Sequence, residues 1–132
     1  MTVLIVDDHP AFRAAARRVL ERHGYSVVAE AGDGDGALSA ARALQPDVVL
    51  LDVQMPGVDG FEVAARLGAA SAASAANAAP AIVLVSSRDA QDFGGLIERS
   101  GACAFIPKHE LSGPALDSAL GVEPRVSGAA GC

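Results

Sequence analysis

Three stretches of the chain are continuously apolar over the length of a β-strand, at residues 3–6, 48–51 and 82–85. A half-buried strand alternates apolar and polar residues, and these stretches do not. Unbroken apolar strands are typical of the centre of a parallel sheet, where helices cover both faces. Two weaker stretches, at residues 25–29 and 102–106, predict the outer strands of the same sheet.

A helical period appears in the segments between the predicted strands. Helices are expected from Pro10 to just before Gly24, around residues 38–44, from about residue 60, from about residue 89 and, with Ser112 as N-cap, over residues 112–120. Strand and helix therefore alternate five times. This order predicts an α/β fold, a doubly wound five-stranded parallel sheet with helices on both faces.

The predicted domain covers residues 1–121, and residues 122–132 are expected to form a disordered tail. The tail contains Pro124 and two glycines and has no hydrophobic period. Residues 68–79 consist almost entirely of alanine, serine and glycine. Because alanine favours helix, we expect this segment to extend the third helix in part.

Charge and composition narrow the possible classes of function. The net charge of −6 argues against a bare nucleic-acid-binding domain, so no direct contact with nucleic acid is expected. No apolar run approaches the roughly 20 residues needed to cross a bilayer, so no membrane contact is expected either. Cys103 and Cys132 lack metal-ligand spacing, and we expect two free thiols in a reducing cytoplasm.

Chemically active side chains follow four of the predicted strands. Asp7 and Asp8 come after the first strand, Asp52 after the third, Ser86 after the fourth and Lys108 after the fifth. Ligands bind an open parallel sheet beyond the carboxyl ends of its strands. We therefore expect three carboxylates, a hydroxyl and an ammonium group to meet at one edge of the sheet.

Electrostatics restricts what such a cluster can do. Two carboxylates about 4 Å apart repel by roughly 4 kcal/mol at an effective dielectric of about 20, so three of them require a compensating cation. Hard oxygen ligands in an incomplete cage suit Mg²⁺, which often shares its site with a phosphate. One carboxylate could then attack phosphorus and form an aspartyl phosphate. Lys108 could neutralise phosphoryl oxygens, and Ser86 could donate a hydrogen bond to one of them.

At these residues the chain resembles the receiver domain of bacterial two-component response regulators, which has a flavodoxin-like or CheY-like fold. The resemblance covers residues 1 to about 121. It rests on the following motifs: the acidic pair Asp7-Asp8, Asp52 followed by Met55-Pro56 and Gly60, Ser86, and Lys108. The local sequences Val6-Asp7-Asp8-His9-Pro10 and Phe105-Ile106-Pro107-Lys108 are most similar to the NarL/LuxR-type subfamily.

The resemblance implies a role for each of the matching residues in phosphoryl transfer. Asp52 would be the phosphoacceptor, modified to 4-aspartylphosphate, and Lys108 would contact the phosphoryl group. Ser86 would be the switch hydroxyl, and Phe105 would occupy the aromatic switch position of the family. Such a chain would be a switch that gains and loses its own phosphoryl group, and not a turnover enzyme.

The resemblance also implies a Mg²⁺ site. Asp8 and Asp52 would bind the ion directly, the main-chain carbonyl of Gln54 would be the third protein ligand, and Asp7 would act mainly through water. His9 shares no ligand spacing with the other histidines and is expected to be a surface residue.

One departure from the family pattern lies beside Lys108. The family often has proline directly after this lysine, in a cis peptide, whereas this chain has His109. A cis bond without proline costs about 2.5–4 kcal/mol, so the Lys108–His109 peptide is expected to be trans.

The partners implied are a histidine kinase or a phosphotransfer protein in the cytoplasm. A homodimer could form through the face made by the fourth helix, fifth strand and fifth helix. A NarL/LuxR-type regulator would carry a helix-turn-helix domain, and the stretch after Lys108 is too short to hold one. The expected output is therefore either that of a stand-alone receiver or that of one lacking its DNA-binding domain.

Two alternatives from other classes stay open on the sequence alone. A phosphatase of the haloacid dehalogenase type also forms an aspartyl phosphate, but it usually has a general acid two residues after the nucleophile, where this chain has Gln54. A flavodoxin-like nucleotide carrier would share the fold. That alternative lacks a Ser/Thr/Gly-rich phosphate loop after the first strand.

Overall fold

The computed structural model describes residues 1–55, 57–73 and 80–121. Its strands are β1 (Thr2–Val6), β2 (Ser26–Ala31), β3 (Val48–Asp52), β4 (Gln54–Met55), β5 (Val58–Asp59), β6 (Ala81–Ser86) and β7 (Ala104–Pro107). Five of them form one parallel sheet in the order β2-β1-β3-β6-β7. The short strands β4 and β5 form a separate antiparallel hairpin directly after β3, which the sequence pattern did not predict.

The helices are α1 (Pro10–Arg22), α2 (Gly34–Leu44), α3 (Gly60–Ala73), α4 (Leu96–Arg99) and α5 (Gly113–Leu120). Short 3₁₀ turns cover Ala90–Phe93 and Lys108–Glu110. Ser112 is the N-cap of α5, as predicted, because its side chain accepts a hydrogen bond from the amide of Ala115. The predicted α/β fold is thus confirmed.

Each central strand is buried on both faces of the sheet. Along β1, Val3 and Ile5 pack into the core beneath α1 and α5, whereas Leu4 and Val6 pack into the core beneath α2 and α3. All five residues of β3 are buried. The continuous apolar runs in the sequence therefore arise because alternate side chains enter two different hydrophobic cores.

The fourth helix, predicted to run on from about residue 89, is not continuous. A 3₁₀ turn ends at Gly94, which has φ +56° and ψ −130°, and α4 begins only after Gly95. Glycine adopts this backbone region readily, whereas residues with a Cβ rarely do. The prediction of one helix is wrong because Gly94 takes a positive φ and interrupts the helix.

Helix α3 begins at Gly60, as predicted, and it starts in close contact with the end of β3. A Cβ atom at residue 60 would lie 2.4 Å from Val53 Cα and 2.5 Å from the carbonyl oxygen of Asp52. Glycine therefore lets α3 begin directly against the strand that carries Asp52. The helix continues through Ala73, which confirms part of the predicted extension, and residues 74–79 and the predicted tail lie outside the described residues.

Two smaller expectations are also decided. The Lys108–His109 peptide is trans, like the other peptide bonds of the described segments. Cys103 is disulfide-bonded, so the expectation of a free thiol at this residue is wrong.

A polar junction joins the end of α1 to α5. The Tyr25 hydroxyl donates a hydrogen bond to Asp117 Oδ1, and His23 Nε2 lies 2.6 Å from Asp117 Oδ2. The ring of His23 packs directly on Gly113, where an added Cβ would lie 2.1 Å from His23 Cγ. Burial and the neighbouring Asp117 raise the pKa of Tyr25 above its ordinary value.

Candidate functional site

The carboxyl ends of β1 and β3 place two aspartates side by side at the edge of the sheet. Val6 pairs with Leu51 in the parallel register, so Asp7 and Asp52 follow neighbouring strand positions. Both are buried, with 0% and 2% of their surface exposed. The main chain of Asp7 is held on both sides, since its amide donates to the carbonyl of Ala31 and its carbonyl accepts from Arg13 Nη1 at 2.5 Å.

Lys108 reaches both buried aspartates from the end of β7. Its Nζ lies 2.7 Å from Asp7 Oδ2 and 3.3 Å from Asp52 Oδ2. The same ammonium group lies 4.5 Å from the centroid of the Phe12 ring on α1, a distance at which the ring face attracts a cation. One lysine thus bridges three elements of the fold, and it is the only lysine in the sequence.

His9 also contacts the acidic pair, which the sequence-based interpretation missed. Its Nδ1 lies 3.1 Å from Asp7 Oδ1 and 3.2 Å from Asp8 Oδ1, and its amide donates to Asp7 Oδ1 at 2.8 Å. The side chain is 64% exposed, so the prediction of a surface residue is correct but incomplete. The only available signal was its position directly after the acidic pair.

The acidic cluster can hold a metal ion. One ligand atom each from Asp7, Asp8, His9 and Asp52 lies within 4.8 Å of all the others. Two buried oxygens, Asp7 Oδ2 and Asp8 Oδ1, accept no well-aligned hydrogen bond from any described residue, although Lys108 and His9 lie beside them. Buried oxygens with unused lone pairs are suited to a hard divalent cation.

The groups around Asp52 shift the pKa of its carboxyl group. Burial raises its pKa above the ordinary value, and the negative charge of Asp7 acts in the same direction. Two contacts oppose this shift, because the amide of Gln54 donates to Asp52 Oδ1 at 3.0 Å and Lys108 lies beside Oδ2. Both carboxylate oxygens therefore have a partner that fixes the orientation of the group.

Ser86 lies next to Gln54 at the end of β6. Its side chain is fully buried, and its hydroxyl donates to Gln54 Oε1 at 3.3 Å. The same oxygen accepts a hydrogen bond from the amide of Arg88 at 3.0 Å. The hydroxyl is thus used both as a donor and as an acceptor.

Phe105 lies apart from the aspartates, in a row of three aromatic rings. Its ring centroid is 5.7 Å from that of Phe93 in the 3₁₀ turn, and Phe93 is 5.6 Å from Phe61 on α3. All three rings are partly buried against the core beneath α2 and α3. This row of rings therefore connects β7, the strand directly before Lys108, to the 3₁₀ turn that follows Ser86.

The chain matches the family of response regulator receiver domains over residues 3–118, nearly the whole described region. The chain belongs to this family. As a receiver domain it is a component of two-component signal transduction, and receiver domains in general are switches and not turnover enzymes. Neither the phosphatase nor the nucleotide-carrier alternative has comparable support.

Relatives of this receiver domain include transcription regulators. It is 42% identical over 108 residues to a transcriptional regulator of Pseudomonas aeruginosa, across 82% of this chain and 49% of the relative. It is 32% identical over 110 residues to the DNA-binding transcriptional activator EvgA of Escherichia coli K12, across 83% and 51%. The chain therefore spans about half the length of these curated relatives.

Solved receiver domains have the same fold. The signal receiver domain of the response regulator NarL from Mycobacterium tuberculosis matches with a TM-score of 0.75 and 36% identity, across 89% of this chain and 94% of that one. A LuxR-family response regulator from Aurantimonas sp. SI85-9A1 matches with a TM-score of 0.72 and 31% identity, across 81% and 73%. In the described part of the receiver domain, no helix has the length and apolar character of a membrane span.

Proposed function

We propose that Asp52 accepts a phosphoryl group from a phosphohistidine of a histidine kinase or phosphotransfer protein in the cytoplasm. The observation that carries this proposal is the ammonium group of Lys108 between the buried carboxylates of Asp7 and Asp52. A lone cation placed on two buried acids keeps one of them ionised as a nucleophile and can then contact the added phosphoryl oxygens.

Asp7, Asp8, Asp52 and the main-chain carbonyl of Gln54 would hold Mg²⁺ in this site. The fit is supported by the buried, poorly paired oxygens of Asp7 and Asp8. When bound, the ion would neutralise charge on the transferring phosphoryl oxygens. Lys108 already provides a positive charge beside Asp7 Oδ2, so part of the negative charge of the acidic cluster is compensated before any ion binds.

In the transfer step an oxygen of Asp52 forms a bond to phosphorus while the bond from phosphorus to the donor nitrogen breaks. The electron pair of that bond stays with the departing imidazole ring. The Gln54 amide and Lys108 hold the Asp52 carboxylate in one orientation beforehand, so little reorganisation is needed. Lys108 remains beside the product and stabilises its negative charge.

Ser86 and Phe105 would convert this chemistry into a change of surface. The Ser86 hydroxyl would turn to donate to a phosphoryl oxygen, and Phe105 would turn inward from its contact with Phe93. The face formed by α4, β7 and α5 would then be reshaped for a partner or a second copy of the chain. Because the relative EvgA is a DNA-binding transcriptional activator, we propose that the output controls transcription. That this chain itself avoids nucleic acid stays a prediction.

The decisive experiment is intact-mass analysis after incubation with acetyl phosphate and Mg²⁺. We expect the mass of one phosphoryl group to be added, to be removed by hydroxylamine, and to be absent from Asp52→Asn. Asp59→Asn is a matched control, because Asp59 is an exposed aspartate in β5, seven residues after Asp52. Modification of Asp7 or Asp8 in the intact protein, or none at all, would contradict the proposal.

A further inference from the structure

The hydroxyl of Ser86 is fully engaged before any phosphoryl group is present. It has one proton, which it donates to Gln54 Oε1, while its oxygen accepts from the amide of Arg88. Because Ser86 is completely buried, no water competes for this proton. To donate to a phosphoryl oxygen on Asp52, the hydroxyl must first leave Gln54.

Gln54 forms hydrogen bonds with both Asp52 and Ser86. Its amide donates to Asp52 Oδ1, and its side-chain oxygen accepts from Ser86. The backbone of Gln54 is fixed by pairing with Asp59 in the β4–β5 hairpin, so the side chain projects from a defined position. The side chain is also exposed, so once released its oxygen can accept a hydrogen bond from water, and the release costs only the net free energy of one hydrogen bond.

We infer that Gln54 is a positioning residue that holds Ser86 in the resting state. Its side-chain oxygen competes with the phosphoryl group for the Ser86 proton, so the side chain opposes the switch through Ser86 and not through Asp52. This inference rests on the proposed function, because it requires a phosphoryl group on Asp52. It differs from the role of Gln54 in metal binding, which uses the main-chain carbonyl and no side-chain atom.

A double-mutant cycle tests the inference with four proteins: wild type, Gln54→Met, Ser86→Ala and the combination of both. The measurement is the dissociation constant of beryllium fluoride, a stable mimic of the phosphoryl group, at saturating Mg²⁺. Methionine keeps the length of glutamine but accepts hydrogen bonds poorly. Gln54→Met is expected to tighten beryllium fluoride binding by about threefold to tenfold, the range for one neutral hydrogen bond.

The background of Ser86→Ala distinguishes this mechanism from a general effect of residue 54. If Gln54 acts through the Ser86 hydroxyl, Gln54→Met has no effect in that background. Gln54→Ala is the second variant, and it should tighten binding in the same direction as Gln54→Met.

Equal tightening with and without Ser86, or no tightening with Ser86 present, overturns the role of Gln54. These outcomes leave the proposed function intact as long as the wild type binds beryllium fluoride. A wild type that neither binds beryllium fluoride nor accepts a phosphoryl group overturns the proposed function and this inference with it.

Discussion

The charge balance of the site can be tested by replacing its central cation. In Lys108→Met the side chain keeps much of its length, so the packing beside Phe12 is largely preserved. The buried carboxylates of Asp7 and Asp52 then face each other without the ammonium group that contacts both. Removing one partner of a buried ion pair costs about 3–5 kcal/mol, because the remaining charge stays buried and uncompensated.

Two further estimates bound the loss of unfolding free energy. Carboxylate oxygens within 4.8 Å repel by about 3.5 kcal/mol at an effective dielectric of about 20. One carboxyl group can escape this repulsion by taking up a proton, which at pH 7 costs roughly 4 kcal/mol for an ordinary aspartate. We therefore expect Lys108→Met to lose about 3–4 kcal/mol of stability at pH 7 without metal.

Urea unfolding in EDTA measures this loss. With slopes of about 1–3 kcal/mol per molar urea, the midpoint should fall by roughly 1–4 M. The double variant with Asp52→Asn should recover part of the loss, because the repulsion between the two carboxylates is removed while Asp7 remains buried. Millimolar Mg²⁺ should stabilise Lys108→Met more than the wild type, since the ion replaces the missing positive charge.

The control variant is Arg66→Met, which removes an exposed ion pair with Glu62 on α3 that includes none of the site residues. It should change stability by less than about 1 kcal/mol. If Lys108→Met is as stable in EDTA as this control, or if Asp52→Asn restores nothing, the charge balance deduced from the geometry is incorrect.

Three other predictions concern pH, packing and mobility. The pKa of Asp52 is raised in the folded state, so the stability that its protonated carboxyl group contributes at low pH is lost as the pH rises. Asp52→Asn should therefore be more stable than the wild type in EDTA at pH 7. Urea titrations should show that this gain vanishes below about pH 4. Gly113→Ala should cost about 1–3 kcal/mol in thermal or urea unfolding, because its Cβ collides with the ring of His23, and His23→Ala should restore part of the loss. Residues 89–100 should show low protection from hydrogen exchange, and the protection should change on phosphorylation. Gly94→Ala should alter the protection of this segment, since residue 94 has φ +56°. Uniformly high protection with and without phosphorylation would contradict this prediction.

The central strands could be predicted closely from the sequence. The apolar run at residues 48–51 became Val48–Asp52, and the run at residues 82–85 became Ala81–Ser86. A strand that is buried on both faces has few polar residues, so the length of the apolar run predicts the length of strand that the helices cover. The fourth helix was harder, because periodicity gives no information about whether a glycine takes a positive φ and ends the helix.

The placement of site residues that directly follow strands could be predicted from the sequence. Side-chain contacts between different elements of the fold could not. Asp7, Asp52 and Lys108 share one edge because parallel strands end together, which the order of elements already implies. The position of the Lys108 ammonium over Phe12 depends on how α1 packs against the sheet, which the order of elements does not give. The contacts of Gln54 with Ser86 depend on the β4–β5 hairpin, for which two-residue strands leave no periodic signal.

Phosphorylation of Asp52 can change the protein surface through β6 and β7. Lys108 directly follows β7, which also carries Phe105, so a change in the charge on Asp52 alters the force on that strand. Ser86 pairs with Pro107 in the register of β6 and β7, so movement of the switch hydroxyl acts on the same place. The charge of Lys108 and the hydrogen bond of Ser86 thus converge on β7, and Phe105 is the side chain of this strand that contacts the 3₁₀ turn. A variant that breaks only one of these connections should weaken the coupling between phosphorylation and the exchange of residues 89–100, whereas loss of both should abolish it.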